Sequence, residues 1–333
     1  MLDYHVHLWP HSERRTPLVL DQVAAYCERA ASAGVVEIAL TEHLFRFVQA
    51  RELLGDFWDE DDAVPARLRR SMAEYWEFHA HADLDRYVET VLEARAAGLP
   101  VVLGLEVDHY PGKMEKVAAL LDGYPFDVLL GSVHFLDSWR FDDIGDAVSM
   151  AEWPARSVDA CWDAYTGALE ELAATGACDV LAHPDLIKVA GHRPAHPAEW
   201  WDRIAEAAAR HHMAAEVSSA GWRKPAGEQY PADGLLVRFA AHGVPFTTAS
   251  DAHGVETVAD RAGDLAALLR AAGVERLTGF RRRQAHTLPI AAAPTNAAPP
   301  TNAAAPTNAA APTNAAAPTN AAPPPADDEG SAP

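Results

Sequence analysis

The sequence predicts an α/β barrel of seven parallel strands, and three observations carry that reading. Short apolar, β-rich runs alternate with helical stretches up to about position 290. The runs are apolar on both faces, as in parallel sheets covered on either side. A side chain able to bind metal closes nearly every run; an open sheet gathers ligands only near its switch point, whereas a barrel brings all strand C-termini to one face.

The elements follow in order. LDYHVH forms the first strand, ending at His7, and a helix over Leu20–Ala33 stops at Gly34. VEIALTEH ends a second strand at Glu42. The stretch 44–85 is long for a βα connection and rich in aromatics, including Phe45, Phe57, Trp58, Tyr75 and Trp76. It reads as a lid-like insert over the mouth or as a helical excursion on the outside. A helix over Tyr75–Ala97 stops at Gly98, and PVVLGLEV runs to Glu106. FDVLLGSVH ends a fourth strand at Val133. A helix over Arg156–Thr175 stops at Gly176, before CDVLAH, which ends at Ala182. Helix Trp200–His211 precedes MAAEVS, ending at Ser218; helix Leu235–His242 stops at Gly243 before VPFTTAS, ending at Ser250. From Ala291 the composition changes. The triplet PTN recurs at 294, 300, 306, 312 and 318, a six-residue period. Such a tract buries too little area to offset chain entropy, so 291–333 is expected to be a disordered tail beside one domain over 1–290.

Composition narrows the function. The 333 residues carry a formal net charge of −21, which disfavours a nucleic-acid partner. The one basic run is Arg281-Arg282-Arg283. The three cysteines (Cys27, Cys161, Cys178) have no CxxC spacing and read as buried small hydrophobes in a reducing compartment. No signal peptide and no apolar run of about 20 residues is visible, so a cytoplasmic protein without a membrane partner is expected.

The chemistry lies at the strand ends. His5 and His7 alternate on a strand and so face the same way. His11 follows, then His43 in TEH, Glu106 in GLEVD, His134 in GSVHF, His183 in LAHPD, and Asp251 with His253 in SDAH. Seven histidines and two carboxylates at one face would hold more than one divalent metal and point to metal-assisted hydrolysis. His79 and His81 share the HxH spacing but in a helical context, where the rings diverge; they read as surface or lid histidines. The remaining histidines, His109 among them, read as solvated. Past the sixth strand, Ser218 leads into Arg223-Lys224. Adjacent cations at a strand exit suit a phosphate group, Arg as a fork and Lys as a point charge. Lys is rare, with four in the chain, and Lys188 as well as Lys224 lies beside a site motif. Arg223, Lys224, Ser218 and Lys188 are therefore the candidate contacts for a small phosphorylated substrate.

The motifs HVH, TEH, GLEVD, GSVHFLDSW, LAHPDLIKVAG, EVSSAGWRKPAGEQYP and SDAH resemble the PHP (polymerase and histidinol phosphatase) superfamily, its histidinol-phosphatase branch in particular. The resemblance implies a distorted (β/α)7 barrel with a trinuclear metal centre. It implies that His5, His7, Glu106 and Asp251 hold one ion; His11, His43 and His253 a second; and Glu106, His134 and His183 a third. The ions would be Zn, Mn or Fe. Arg223 would belong to the phosphate-binding group; the sequence names no general acid, with Asp251 or a water at the metals as candidates. The activity implied is hydrolysis of L-histidinol phosphate to L-histidinol in histidine biosynthesis. A phosphoesterase acting on another small ester or nucleotide is the alternative, and a non-catalytic binding scaffold a further one.

Overall fold

The computed structural model describes residues 1–290, and the expected repeat tail at 291–333 lies outside them. Seven strands form one parallel sheet in sequence order: β1 (Leu2–Val6), β2 (Glu37–Leu40), β3 (Val101–Asp108), β4 (Val128–Ser132), β5 (Val180–Leu181), β6 (Ala214–Ser218) and β7 (Phe246–Ala249). Parallel neighbours need crossovers, and helices supply them. They are α1 (Leu20–Ser32), α2 (Val48–Leu54), α3 (Ala66–His79), α4 (Leu84–Ala96), α5 (Met114–Leu121), α6 (Ala147–Met150), α7 (Val158–Thr175), α8 (Ala198–Arg210) and α9 (Asp233–Ala241); α10 (Ala262–Ala271) follows the last strand.

The sheet curls until its ends meet. His7 donates its backbone N–H to the carbonyl of Ala252 at 2.7 Å, and Thr248 Oγ1 donates to the carbonyl of Leu2 at 2.7 Å. A single parallel bridge joins Val6 and Ala252, so closure is near but not a full ladder. Curvature demands a small residue where strands crowd. At Gly104 in β3 a Cβ would stand 2.6 Å from Thr41 Cγ2 and 2.9 Å from Val128 Cγ1.

The seven expected strands are present, with ends shifted by no more than two residues. Two readings needed correction. The helix expected over Tyr75–Ala97 is broken in two, because Asp83 caps α4 by accepting from the backbone N–H of Asp85 and Arg86. An antiparallel hairpin, β8 (Arg276–Arg281) and β9 (Gln284–Pro289), had no strand signal of its own. Its two-residue turn is Arg282-Arg283, both with positive φ (45° and 60°), where Asn-Gly is the usual signature. The turn is held from the barrel: Asp127 Oδ1 accepts the N–H of Arg282 at 3.0 Å, and Asp179 accepts Arg283 Nε at 3.0 Å. Arg281 pairs with Glu37 at 3.0 Å. The basic run thus serves as a clamp, and the hairpin closes the N-terminal end of the barrel over Tyr4, whose hydroxyl accepts the N–H of Phe280. The opposite end stays open. No helix among the described residues is long and apolar enough to cross a membrane.

Candidate metal centre

All nine candidate ligands lie around the open, C-terminal end. Glu106, on β3 and fully buried, stands at the centre. Its Oε2 faces His43 Nδ1 at 2.6 Å, His5 Nε2 at 3.2 Å and His7 Nε2 at 3.6 Å. Its Oε1 faces His183 Nε2 at 2.9 Å and His134 Nε2 at 3.3 Å. Asp251 Oδ1 closes the ring, 3.5 Å from His7 Nε2 and 4.0 Å from His5 Nε2. His253 Nε2 lies 3.4 Å from His43 Nε2.

Ligand atoms fall into four groups compact enough for a cation: His5, His7, Asp251; His5, Glu106, His183; His43, Glu106, His134; and His7, His43, His253. His11 is in none of the four. Its ring lies at the cleft mouth, 4.5 Å from that of His253 and 4.9 Å from that of His43. In the group with His43 and His253, His7 takes the place expected for His11.

Several of these atoms are buried without a hydrogen-bond partner: His5 Nε2, both nitrogens of His7, His43 Nδ1 and Glu106 Oε2. Unsatisfied buried polar atoms are costly, and divalent cations would satisfy them. The donor set of imidazole nitrogens with a few carboxylate oxygens fits Zn, Mn or Fe. The residues therefore fit a multinuclear metal site.

Carboxylates outside the ring orient its imidazoles. Glu216 on β6 sits 2.8 Å from His5 Nδ1 and accepts the backbone N–H of His183 at 3.2 Å. Asp108 sits 2.6 Å from His134 Nδ1. Glu42 accepts the N–H of Trp9 at 3.1 Å and lies 3.7 Å from His7 Nδ1. Glu216 and Asp108 hold the outer nitrogens of His5 and His134 so that Nε2 points inward. Two ligands also sit in strained backbone: His183 (φ 27°) and Asp251 (φ 50°) occupy the left-handed region, which non-glycine residues adopt at functional sites.

The charges are mutually stabilised. Burial opposes ionisation of Glu106, yet His5, His134 and His43 hold it well below the ordinary carboxylate range. Burial likewise opposes the charge on His5, but Glu216, Glu106 and Asp251 raise it well above that of a free imidazole. His43 and His253 are driven well down, by burial and then by His7.

The cleft above the ring has two lobes, of about 350 and 410 Å³. Arg223, Asp251 and His253 line the first; Trp76, His79, Phe135 and Arg140 line the second. Arg223 is locked in place, Nη1 donating to Asp260 at 2.8 Å and Nη2 to the carbonyl of Ser250 at 2.6 Å. Lys224 borders both lobes and makes no ion pair among the described residues. Two expected contacts lie elsewhere. Lys188 is buried beside the barrel, its ammonium 2.8 Å from Asp185 and 2.9 Å from Glu228, so its charge is already matched. Ser218 Oγ accepts the N–H of Ala220 and shapes the turn leaving β6.

His79, expected as a surface or lid histidine, lies in the insert 44–85 and is buried against the rings of His11, Phe45 and Tyr75. His109, expected to be solvated, is also buried, with Nε2 3.6 Å from Glu171. Sequence reasoning missed Glu216, Asp108, Arg140 and Asp142. A signal existed for the first two: a Glu inside the apolar run MAAEVS, and an Asp two residues beyond Glu106 on the same strand face.

Comparison with known proteins agrees with this geometry. The PHP domain family matches residues 3–220. A Deinococcus radiodurans protein named "Probable histidinol-phosphatase" is 34% identical over 197 residues, covering 59% of this chain and 74% of that protein. The crystal structure of histidinol phosphate phosphatase from Lactococcus lactis, complexed with Zn, L-histidinol and phosphate, superposes with a TM-score of 0.62 at 19% identity, covering 86% of this chain and 98% of that one. The last likeness shows the barrel. The family match takes in seven of the nine ring residues, all but Asp251 and His253. From residues 3 to 220, then, fold, ligand ring and sequence agree: the chain belongs to the PHP domain family.

Proposed function

We propose that the chain is a metal-dependent phosphomonoesterase that hydrolyses L-histidinol phosphate to L-histidinol and phosphate, as a step of histidine biosynthesis in the cytoplasm. The observation that carries this reading is the ring itself: seven histidines and Asp251 gathered about the shared carboxylate Glu106, beneath a cleft whose lip presents Arg223 and Lys224. The Deinococcus radiodurans relative supplies the substrate.

Three divalent ions would be held, by His5, His7, Glu106 and Asp251; by His11, His43 and His253, with His7 nearby; and by Glu106, His134 and His183. When bound, such ions supply Lewis-acid activation of water and neutralise charge on the phosphoryl oxygens. The remaining work falls to the chain. Arg223, fixed by Asp260 and the Ser250 carbonyl, offers its guanidinium at the lip; Lys224 offers a point charge between the lobes. Burial works against the Asp251 carboxylate, but His5, His7 and His253 hold it well below the usual range. Ionised at neutral pH, it suits holding a cation or accepting a proton more than donating one. The insert 44–85 supplies Phe45, Tyr75 and Trp76 to the cleft wall and acts as the lid-like element of the domain 1–290. The net charge of −21 argues against a polyanionic partner.

The test is phosphate release from L-histidinol phosphate beside a panel of phosphomonoesters, on protein with its metal content quantified. Preference for L-histidinol phosphate, abolished by a chelator and restored by metal, is expected. A different preferred ester would move the protein out of histidine biosynthesis; full metal loading without turnover would reject the phosphatase reading.

A further inference from the structure

The two lobes share a border of six residues: His11, Phe45, Tyr75, His134, Asp142 and Lys224. Five have a clear use. The histidines belong to the ring, the aromatics form a wall, and Lys224 joins Arg223 as a phosphate cation. Asp142 does not fit that pattern. An anion beside a phosphate site repels the substrate unless it meets a positive charge elsewhere on it.

Its surroundings leave it open for that task. Asp142 makes no hydrogen bond or ion pair through its carboxylate among the described residues. The adjacent acids are occupied: Asp143 pairs with Arg140, and Asp108 sits on His134 Nδ1 at 2.6 Å. Arg140 is itself taken up, by Asp143, Asp146 and Ser71. The lobe beyond Asp142 includes an apolar wall of Phe45, Trp76 and Phe135, and low-dielectric surface strengthens a charge pair formed against it. Asp142 and Lys224 thus stand together on the border of the lobes, where the cleft presents an ammonium and an uncommitted carboxylate side by side.

We propose that Asp142 is the specificity-determining residue of the cleft, its carboxylate receiving a positive charge on the alcohol half of the phosphate ester. The substrate class is a phosphate monoester of an amino alcohol, or of an alcohol bearing another cationic nitrogen. This deepens the phosphomonoesterase reading and rests on it. A matched charge there discriminates between substrates, because a neutral alcohol leaves the part-buried carboxylate without a partner.

The experiment compares kcat/KM for L-histidinol phosphate, phosphoethanolamine and glycerol 3-phosphate on full-length, metal-quantified wild type, Asp142→Asn and Asp142→Glu. Asp142→Ser replaces the Asn variant if that one does not fold. Calorimetric binding of L-histidinol alone gives a readout independent of turnover. The cationic-to-neutral kcat/KM ratio is expected to fall roughly tenfold to hundredfold in Asp142→Asn, with matching loss of L-histidinol binding and partial recovery in Asp142→Glu. An unchanged ratio, or an equal fall for all three esters, overturns the proposal. If wild type hydrolyses L-histidinol phosphate and the ratio ignores Asp142, this inference fails while the proposed function stands. If wild type neglects L-histidinol phosphate but shows an Asp142-dependent preference for phosphoethanolamine over glycerol 3-phosphate, the reverse holds.

Discussion

At one end of the cleft, nearly every polar side chain stands at the exit of a β-strand; at the other, the walls come from α3 and from the loop after β4. The metal end draws His5 from β1, His7 from its exit, His43 from just beyond β2 and Glu106 from β3. The alcohol end draws Phe45, Tyr75, Trp76 and His79 from the insert, and Phe135, Arg140 and Asp142 from the loop. Strands locked in a sheet hold donors to the tolerance that metal coordination needs. Loops and excursions tolerate substitution, which suits the surface that chooses the leaving group. On the proposed reading, chemistry would sit on the strands and selectivity on the loops and the insert.

The strongest way to break this contrast is at Glu106, whose two oxygens face five imidazoles. Glu106→Gln keeps the shape and removes the charge. Metal content should fall, and activity on every phosphomonoester should drop by about a thousandfold or more, because the ions would act on the phosphoryl group that all the esters share. A variant that kept its full metal complement and lost activity on one ester alone would contradict the division between the ends.

A smaller effect is expected one layer out. Glu216 touches no candidate ion position directly; it orients His5 through Nδ1 and holds the His183 backbone. Glu216→Gln should weaken metal affinity by about ten- to hundredfold, as outer carboxylates generally do. Added metal should then recover most of the activity, and the order of preference among esters should not change. Loss that excess metal cannot rescue would assign Glu216 a role beyond positioning.

The same contrast explains what was legible in the sequence. The metal end was readable because a strand fixes side-chain direction with period two, so HVH alone told which way two imidazoles point. The strand count and the shared mouth followed from the same rule. The alcohol end was not readable, because its residues meet only through tertiary packing. His79 and His81 look alike in sequence, yet α3 buries the first against Phe45 and Tyr75 and leaves the second near solvent. Lys188 and Lys224 both flank motifs, yet one is consumed by Asp185 and Glu228 while the other borders the cleft. Asp142 carries no signal of its own among the acids of FDDIGD. Its role depends on which of its neighbours have found partners.

His79 offers the subtlest test, through pH. At the metal end His5 is raised, since Glu216, Glu106 and Asp251 outweigh its burial. In the alcohol lobe no carboxylate does this for His79; burial, then Arg46, Arg140 and His81, lowers it to about 3. The unfolded chain binds that proton near 6.5, the folded chain only near 3. Between those values the unfolded state holds more protons, so the stability due to neutral His79 is complete above about 6.5 and declines as pH falls. The slope from this one group is at most about 1.4 kcal/mol per pH unit. His79→Gln removes the titration while keeping a polar side chain of similar reach. Urea unfolding in the presence of chelator, at steps from pH 7.5 to 5, should show wild type losing stability faster than the variant. The difference should reach at most about 2 kcal/mol at pH 5. Parallel curves would mean that His79 is protonated in the folded protein, and that the alcohol lobe carries a cation of its own. An aminoalcohol phosphate would then meet repulsion in the lobe where its charge should be received.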